Sequence, residues 1–139
     1  QGINDLITSL NYLRNLDNCN GKVGTVGYCL GGKLSYLLSC RSNADCNVSY
    51  YGVGLEDLLN ESENIKTPYL SHIAEKDRFV PKAAQQKILS NLSTNNFCDL
   101  YIYPNQEHAF ARAGGEHYNQ DAAHLANSRT KTFFEKNLF

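Results

Sequence analysis

The chain has 139 residues, 42% of them hydrophobic and 19% charged, with a formal net charge of -1. This is the composition of one compact globular domain and not of a disordered or fibrous segment. Lys and Arg are scattered, so no nucleic-acid footprint or polybasic membrane patch stands out, and no apolar run approaches the roughly 20 residues that cross a bilayer.

Ile3, Leu6, Ile7, Leu10, Leu13 and Leu16 recur at helical spacing, which predicts an opening amphipathic helix closed by Asn20-Gly21. Lys22 to Tyr28 reads as a strand. From Leu30 to about Ser39 the pattern is helical again, with Leu34, Leu37 and Leu38 apolar. Val48-Ser-Tyr-Tyr51 is a short strand closed by Gly52 and Gly54, and a short helix is expected over Glu56 to Asn60. Pro68 opens a third strand, Tyr69 to Ala74. Pro81 suits the first turn of a helix that runs through Ile88, Leu89 and Leu92. Asp99 to Tyr103 is a fourth strand stopped by Pro104. A last helix runs from about Asn119 to Lys136, with Ala122, Leu125, Ala126 and Phe133 on its apolar face.

Strands alternating with helices predict βαβ units: an α/β fold with a doubly wound parallel sheet and flanking helices. Four strands make a thin parallel sheet, because such sheets are normally wide and covered on both faces. The chain also opens on Gln1 and not on Met. Residues 1–139 are therefore expected to be the C-terminal part of a single domain, with the N-terminal part missing. Strand 22–28 would then be an apolar edge without a charged guard, and self-association of the chain through that edge is expected.

The five cysteines (Cys19, Cys29, Cys40, Cys46, Cys98) are odd in number and fit no zinc template. They read as free thiols of a reducing, cytoplasmic compartment. His117, Asp121 and His124 are spaced to share one helical face, but they complete no ligand set, and a solvated face is the expected reading.

In open α/β sheets, ligands bind beyond the carboxyl ends of the strands. Cys29 follows the first strand, Asp77 the third and His108 the fourth, so a nucleophile, an acid and a base fall on one rim. Their chain order and Gly27-x-Cys29-x-Gly31 fit the nucleophile elbow of α/β-hydrolases, with Cys in place of Ser. Glycines are needed there because the turn from strand to helix is sharp and strained. The positive end of the following helix suits a thiolate, and the Leu30 N–H would face a developing oxyanion. His72, inside a strand, reads as a packed core residue.

The stretches Gly27-Tyr-Cys-Leu-Gly-Gly32, Tyr50-Tyr-Gly-Val-Gly-Leu55, Asp77-Arg-Phe-Val-Pro81, His108-Ala-Phe-Ala-Arg112 and Ala126-Asn-Ser-Arg129 together resemble the dienelactone hydrolase (carboxymethylenebutenolidase) family. The resemblance implies hydrolysis of an enol-lactone, dienelactone to maleylacetate. Cys29 would be the nucleophile, His108 the base and then acid, and Asp77 its orienting carboxylate. Arg112 would hold the substrate carboxylate, and Tyr51 and Tyr50 would line the pocket. It implies a carboxylate-bearing ester or lactone as the small-molecule partner and no cofactor or metal. A glutamate that holds the resting cysteine, a second oxyanion N–H and a second carboxylate-binding arginine belong to the family's N-terminal half, outside this sequence. Glu107 stands where the family usually has Gly before the histidine. Two alternatives remain at this point: a broader carboxylesterase or thioesterase on the same scaffold, and a truncated non-catalytic fragment that folds by association.

Overall fold

The computed structural model describes residues 1–139. In chain order the elements are α1 (Gly2–Arg14), β1 (Gly24–Tyr28), α2 (Leu30–Arg41), β2 (Cys46–Tyr50), two 3₁₀ segments (Leu55–Asp57 and Leu59–Asn64), β3 (Tyr69–Ala74), α3 (Lys82–Leu92), β4 (Cys98–Tyr103) and α4 (Gln120–Leu138). The four strands form one parallel sheet in the order β1-β2-β3-β4.

Helices cover both faces of the sheet. Because each strand adds on the same side of the last, right-handed crossovers bring the intervening helices to one face. There Tyr36, Leu37 and Cys40 of α2 meet Ala84, Ile88 and Leu92 of α3 over Tyr69 and Ile73 of β3. Only α4 returns beneath the sheet, where Ala126 and Phe133 pack on Cys46, Val48, Leu70 and Tyr103. β2 and β3 lie between neighbours and are buried at every position. Pro81 caps α3 from outside its first turn.

The buried stripe of α4 is Ala123, Ala126 and Phe133, whereas Leu125 is exposed. The buried face is therefore rotated away from Leu125 toward the smaller Ala123 relative to the face expected from the sequence. β2 takes in Cys46 and Asn47 and ends at Tyr50, because Tyr51 turns to φ +38.

α1 lies against α2 and is tied down at its C-terminal end. Arg14 pairs with Asp45 at 2.8 Å and donates to the carbonyls of Gly21 and Asn43. Leu10 is buried, but Leu6 and Leu13 stay substantially exposed along a groove beside β1. β1 is an edge strand, and Val26 and Tyr28 on it are 46% and 49% exposed. No helix is long and apolar enough to cross a membrane.

Candidate active site

Register sets the first layer of the site. Tyr28 lies beside Tyr50, Tyr50 beside His72 and His72 beside Tyr101, so an aromatic row crosses the sheet toward its carboxyl end. The rings are 4.6, 4.3 and 6.3 Å apart in that order. Just beyond this row the chain leaves β1 at Cys29, which has φ +57 and ψ -115 and is a strained residue between strand and helix. Two backbone bonds hold it: its N–H donates to the Tyr50 carbonyl at 3.0 Å, and its carbonyl accepts from the Lys33 N–H at 3.2 Å.

The glycines around it are a steric requirement at two positions. A Cβ on Gly27 would sit 1.9 Å from the Gly31 carbonyl oxygen, and one on Gly32 would sit 2.8 Å from Gly52 Cα. Gly31, the second glycine of the motif, has open space around it. Leu30 opens α2, so its N–H belongs to the first helical turn, which has no intrahelical acceptor. The Cys29 thiol is exposed. Burial raises the Cys40 thiol and pushes those of Cys46 and Cys98 up to about 12, so these three stay protonated and unreactive near neutral pH.

The loops after β3 and β4 supply the other two groups. Asp77 is almost fully buried, and its Oδ2 lies 2.7 Å from His108 Nδ1. Its Oδ1 accepts the Phe79 N–H at 2.9 Å. A carboxylate only accepts, so His108 Nδ1 carries the proton and Nε2 is left free. Tyr51 and Phe79 pack edge-on to the imidazole, 5.1 and 4.8 Å between ring centres. Ala109, the next residue, sits at φ +65, and the Arg112 N–H closes the turn on its carbonyl at 2.9 Å. Glu107 has no positive φ, so its position makes no demand for glycine.

One cleft of about 660 Å³ is lined by Cys29, His108, Tyr51 and Arg112 together. The family model that matches residues 1–138 is described as the dienelactone hydrolase family. The chain belongs to the dienelactone hydrolase family. A relative from Azospirillum brasilense is 50% identical over 109 residues, 78% of this chain and 47% of its own length. The carboxymethylenebutenolidase of Pseudomonas putida is 40% identical over 132 residues, 95% of this chain and 56% of that protein. A crystal structure from Klebsiella pneumoniae subsp. pneumoniae, assigned as a dienelactone hydrolase, is 21% identical. It matches with a TM-score of 0.86 over 97% of this chain and 60% of that one. The chain thus spans about half the length of the curated relatives it matches.

Against the dienelactone hydrolase pattern, the cleft gathers Cys29, His108, Tyr51 and Arg112, with Asp77 directly behind His108. Tyr50 lies elsewhere than expected. It is fully buried, and its hydroxyl bonds to Asn127 and Thr130 behind the cleft wall and not within it. Tyr28, Arg78, Phe79, Glu107, His117 and Asn127 also line the cleft without having been singled out for it. Phe79 and Glu107 flank the acid and the histidine in sequence, a signal that was available. Asn127 reaches the cleft from α4; the Ala126-Asn-Ser-Arg129 stretch contains it, but only the packing of α4 places it there. His117 precedes α4 and lies 3.7 Å from Glu107, so it shares no helical face with Asp121 and His124. No three His, Cys, Asp or Glu side chains are grouped to hold a metal ion.

Proposed function

We propose that residues 1–139 are the C-terminal part of an α/β-hydrolase domain that cleaves a carboxylate-bearing ester or lactone through Cys29, His108 and Asp77. The 2.7 Å pairing of His108 Nδ1 with Asp77, in the cleft that Cys29 also lines, carries this reading. His108 Nε2 takes the thiol proton as Cys29 Sγ attacks the carbonyl carbon. The Leu30 N–H stabilises the oxyanion. The tetrahedral intermediate collapses, the C–O bond to the leaving oxygen breaks, and His108 returns the proton to that oxygen. In an enol-lactone the leaving oxygen stays attached through the ring, so the product of this step is a ring-opened thioester. Water, deprotonated by His108, then attacks the thioester, frees the Cys29 sulfur and yields the acid. Asp77 keeps the imidazole in the required tautomer and stabilises its charged form. Arg112 pairs with the substrate carboxylate, and Tyr51 supplies an apolar wall.

The family membership supports a lactone of the dienelactone type. Free cysteines throughout the chain support a reducing, cytoplasmic setting. The deciding experiment compares kcat/KM for dienelactone and for simple aryl esters in the full-length reading frame. A clear preference for dienelactone is expected. Equal rates on both would replace the lactonase reading with a broad esterase.

A further inference from the structure

A run of hydrogen bonds crosses the protein under the sheet, from the β4 edge to the wall of the cleft, and the steps above use none of it. It begins at Arg129, whose guanidinium lies 3.9 Å over the Tyr101 ring and donates from Nη1 to the Tyr103 hydroxyl at 3.1 Å. The Tyr103 hydroxyl is 2.8 Å from His72 Nδ1, and His72 Nε2 is 2.9 Å from Thr130 Oγ1. Thr130 Oγ1 is 2.7 Å from the Tyr50 hydroxyl, which is 2.9 Å from Asn127 Oδ1. Asn127 lines the same cleft as Cys29, His108 and Arg112.

The ends of this run fix its direction. A guanidinium only donates, so Tyr103 accepts from Arg129 and has its own proton to give to His72 Nδ1. His72 is held neutral by burial and by the nearby Arg129 charge, so with Nδ1 accepting, Nε2 donates to Thr130. Thr130 then donates to Tyr50, and Tyr50 to Asn127. The last partner must be an acceptor, which is the amide oxygen. Turning the Asn127 amide over would reverse every bond back to Tyr103 and leave that buried hydroxyl proton without a partner, at the cost of an unsatisfied group. With Oδ1 pinned inward, the amide NH₂ is presented to the cleft.

We propose that Asn127 is a substrate-binding residue whose NH₂ donates to the substrate carboxylate alongside Arg112, and that Thr130 and His72 are positioning residues that orient it. This rests on the hydrolase reading of the cleft. A neutral amide held by a one-way chain offers a fixed donor that does not titrate, which favours a planar carboxylate over a neutral ester.

The first test needs no turnover. The side-chain amide resonances of Asn127 are followed while the protein is titrated with furan-2-carboxylate and, separately, with furan-2-carboxamide. The carboxylate is expected to move them and the carboxamide to leave them nearly still. Asn127→Ala is expected to weaken carboxylate binding about tenfold relative to carboxamide binding. Thr130→Val should produce a smaller loss of the same kind, which Thr130→Ser restores. Unmoved Asn127 resonances while the carboxylate shifts the Arg112 guanidinium would overturn the proposal, as would wild-type protein that binds no carboxylate. In turnover, Asn127→Ala should cost about tenfold more kcat/KM on a carboxylate-bearing lactone than on a neutral aryl ester, through KM. An equal loss on both substrates would overturn the proposal. If the wild type hydrolyses neither substrate, the hydrolase reading fails, and the titration still decides the role of Asn127.

Discussion

His72 makes stability depend on pH in a calculable way. Its ring is completely buried between Tyr103 and Thr130. Burial first, and then the charge of Arg129, lower its pKa from the ordinary 6.5 to about 3. Between those values the unfolded chain binds a proton that the folded chain refuses. The stability contributed by neutral His72 is therefore complete above about pH 6.5 and is lost progressively as pH falls toward 3. Each pH unit within the window is worth about 1.4 kcal/mol, so acidifying from about pH 6.5 to about pH 4.5 costs roughly 2–3 kcal/mol from this residue. Urea unfolding followed by circular dichroism, repeated across that range, gives the slope. His72→Gln lowers stability near neutrality but removes this slope, so the curves of the two proteins converge as the pH drops. Parallel curves would refute the reasoning. So would a folded-state His72 ring resonance that titrates near its ordinary value, a measurement that stands even if the variant does not fold.

Other consequences are more local. Gly27→Ala drives a Cβ against the Gly31 carbonyl and should cost about 3 kcal/mol or more, whereas Gly31→Ala, in open helical space, should be neutral or stabilising by up to about 1 kcal/mol; thermal melts that rank the two the other way would contradict the elbow geometry. Asp77→Asn keeps the shape of the pair but no longer fixes the tautomer of His108, so kcat for ester cleavage should fall by about 10³–10⁴ with little change in KM; a loss under tenfold would remove Asp77 from the proposed mechanism. The apolar β1 edge predicts self-association of the 139-residue chain; sedimentation should show species above monomer that Val26→Lys shifts toward monomer, and a wild-type monomer at all concentrations would contradict it.

Most of the fold was legible because the relevant signals are local. Strand and helix periods, the prolines at 68, 81 and 104 and the glycine turns marked every major element in order. The strand ends then placed Cys29, Asp77 and His108 on one rim without any knowledge of their contacts. What the sequence did not show depends on non-local packing. Tyr50 adjoins Tyr51 in sequence and their rings are 6.0 Å apart, yet Tyr50 is bonded to α4 behind the wall while Tyr51 lines the cleft. Leu125 looks like a core residue by type, but α4 buries Ala123, Ala126 and Phe133 instead, and Ala126 and Phe133 are the ones packed on the sheet. Asn127 and Thr130 meet Tyr50 across 77 and 80 residues of chain, and no spacing rule reaches that far. The elbow shows both cases at once. The motif marked Cys29, but only the folded backbone, the turn from β1 into α2 for Gly27 and the close approach of α2 to β2 and Gly52 for Gly32, identifies these two positions, and not Gly31, as the ones where a side chain cannot fit.

The central claim is that Cys29 forms a covalent acyl intermediate. The full-length protein is mixed with an activated aryl ester, quenched in acid at early times, digested and analysed by mass spectrometry. The acyl group should appear on the peptide that carries Cys29, decay as product forms, and be absent from Cys29→Ala. An acyl group on another residue, or undiminished turnover by Cys29→Ala, would contradict the account.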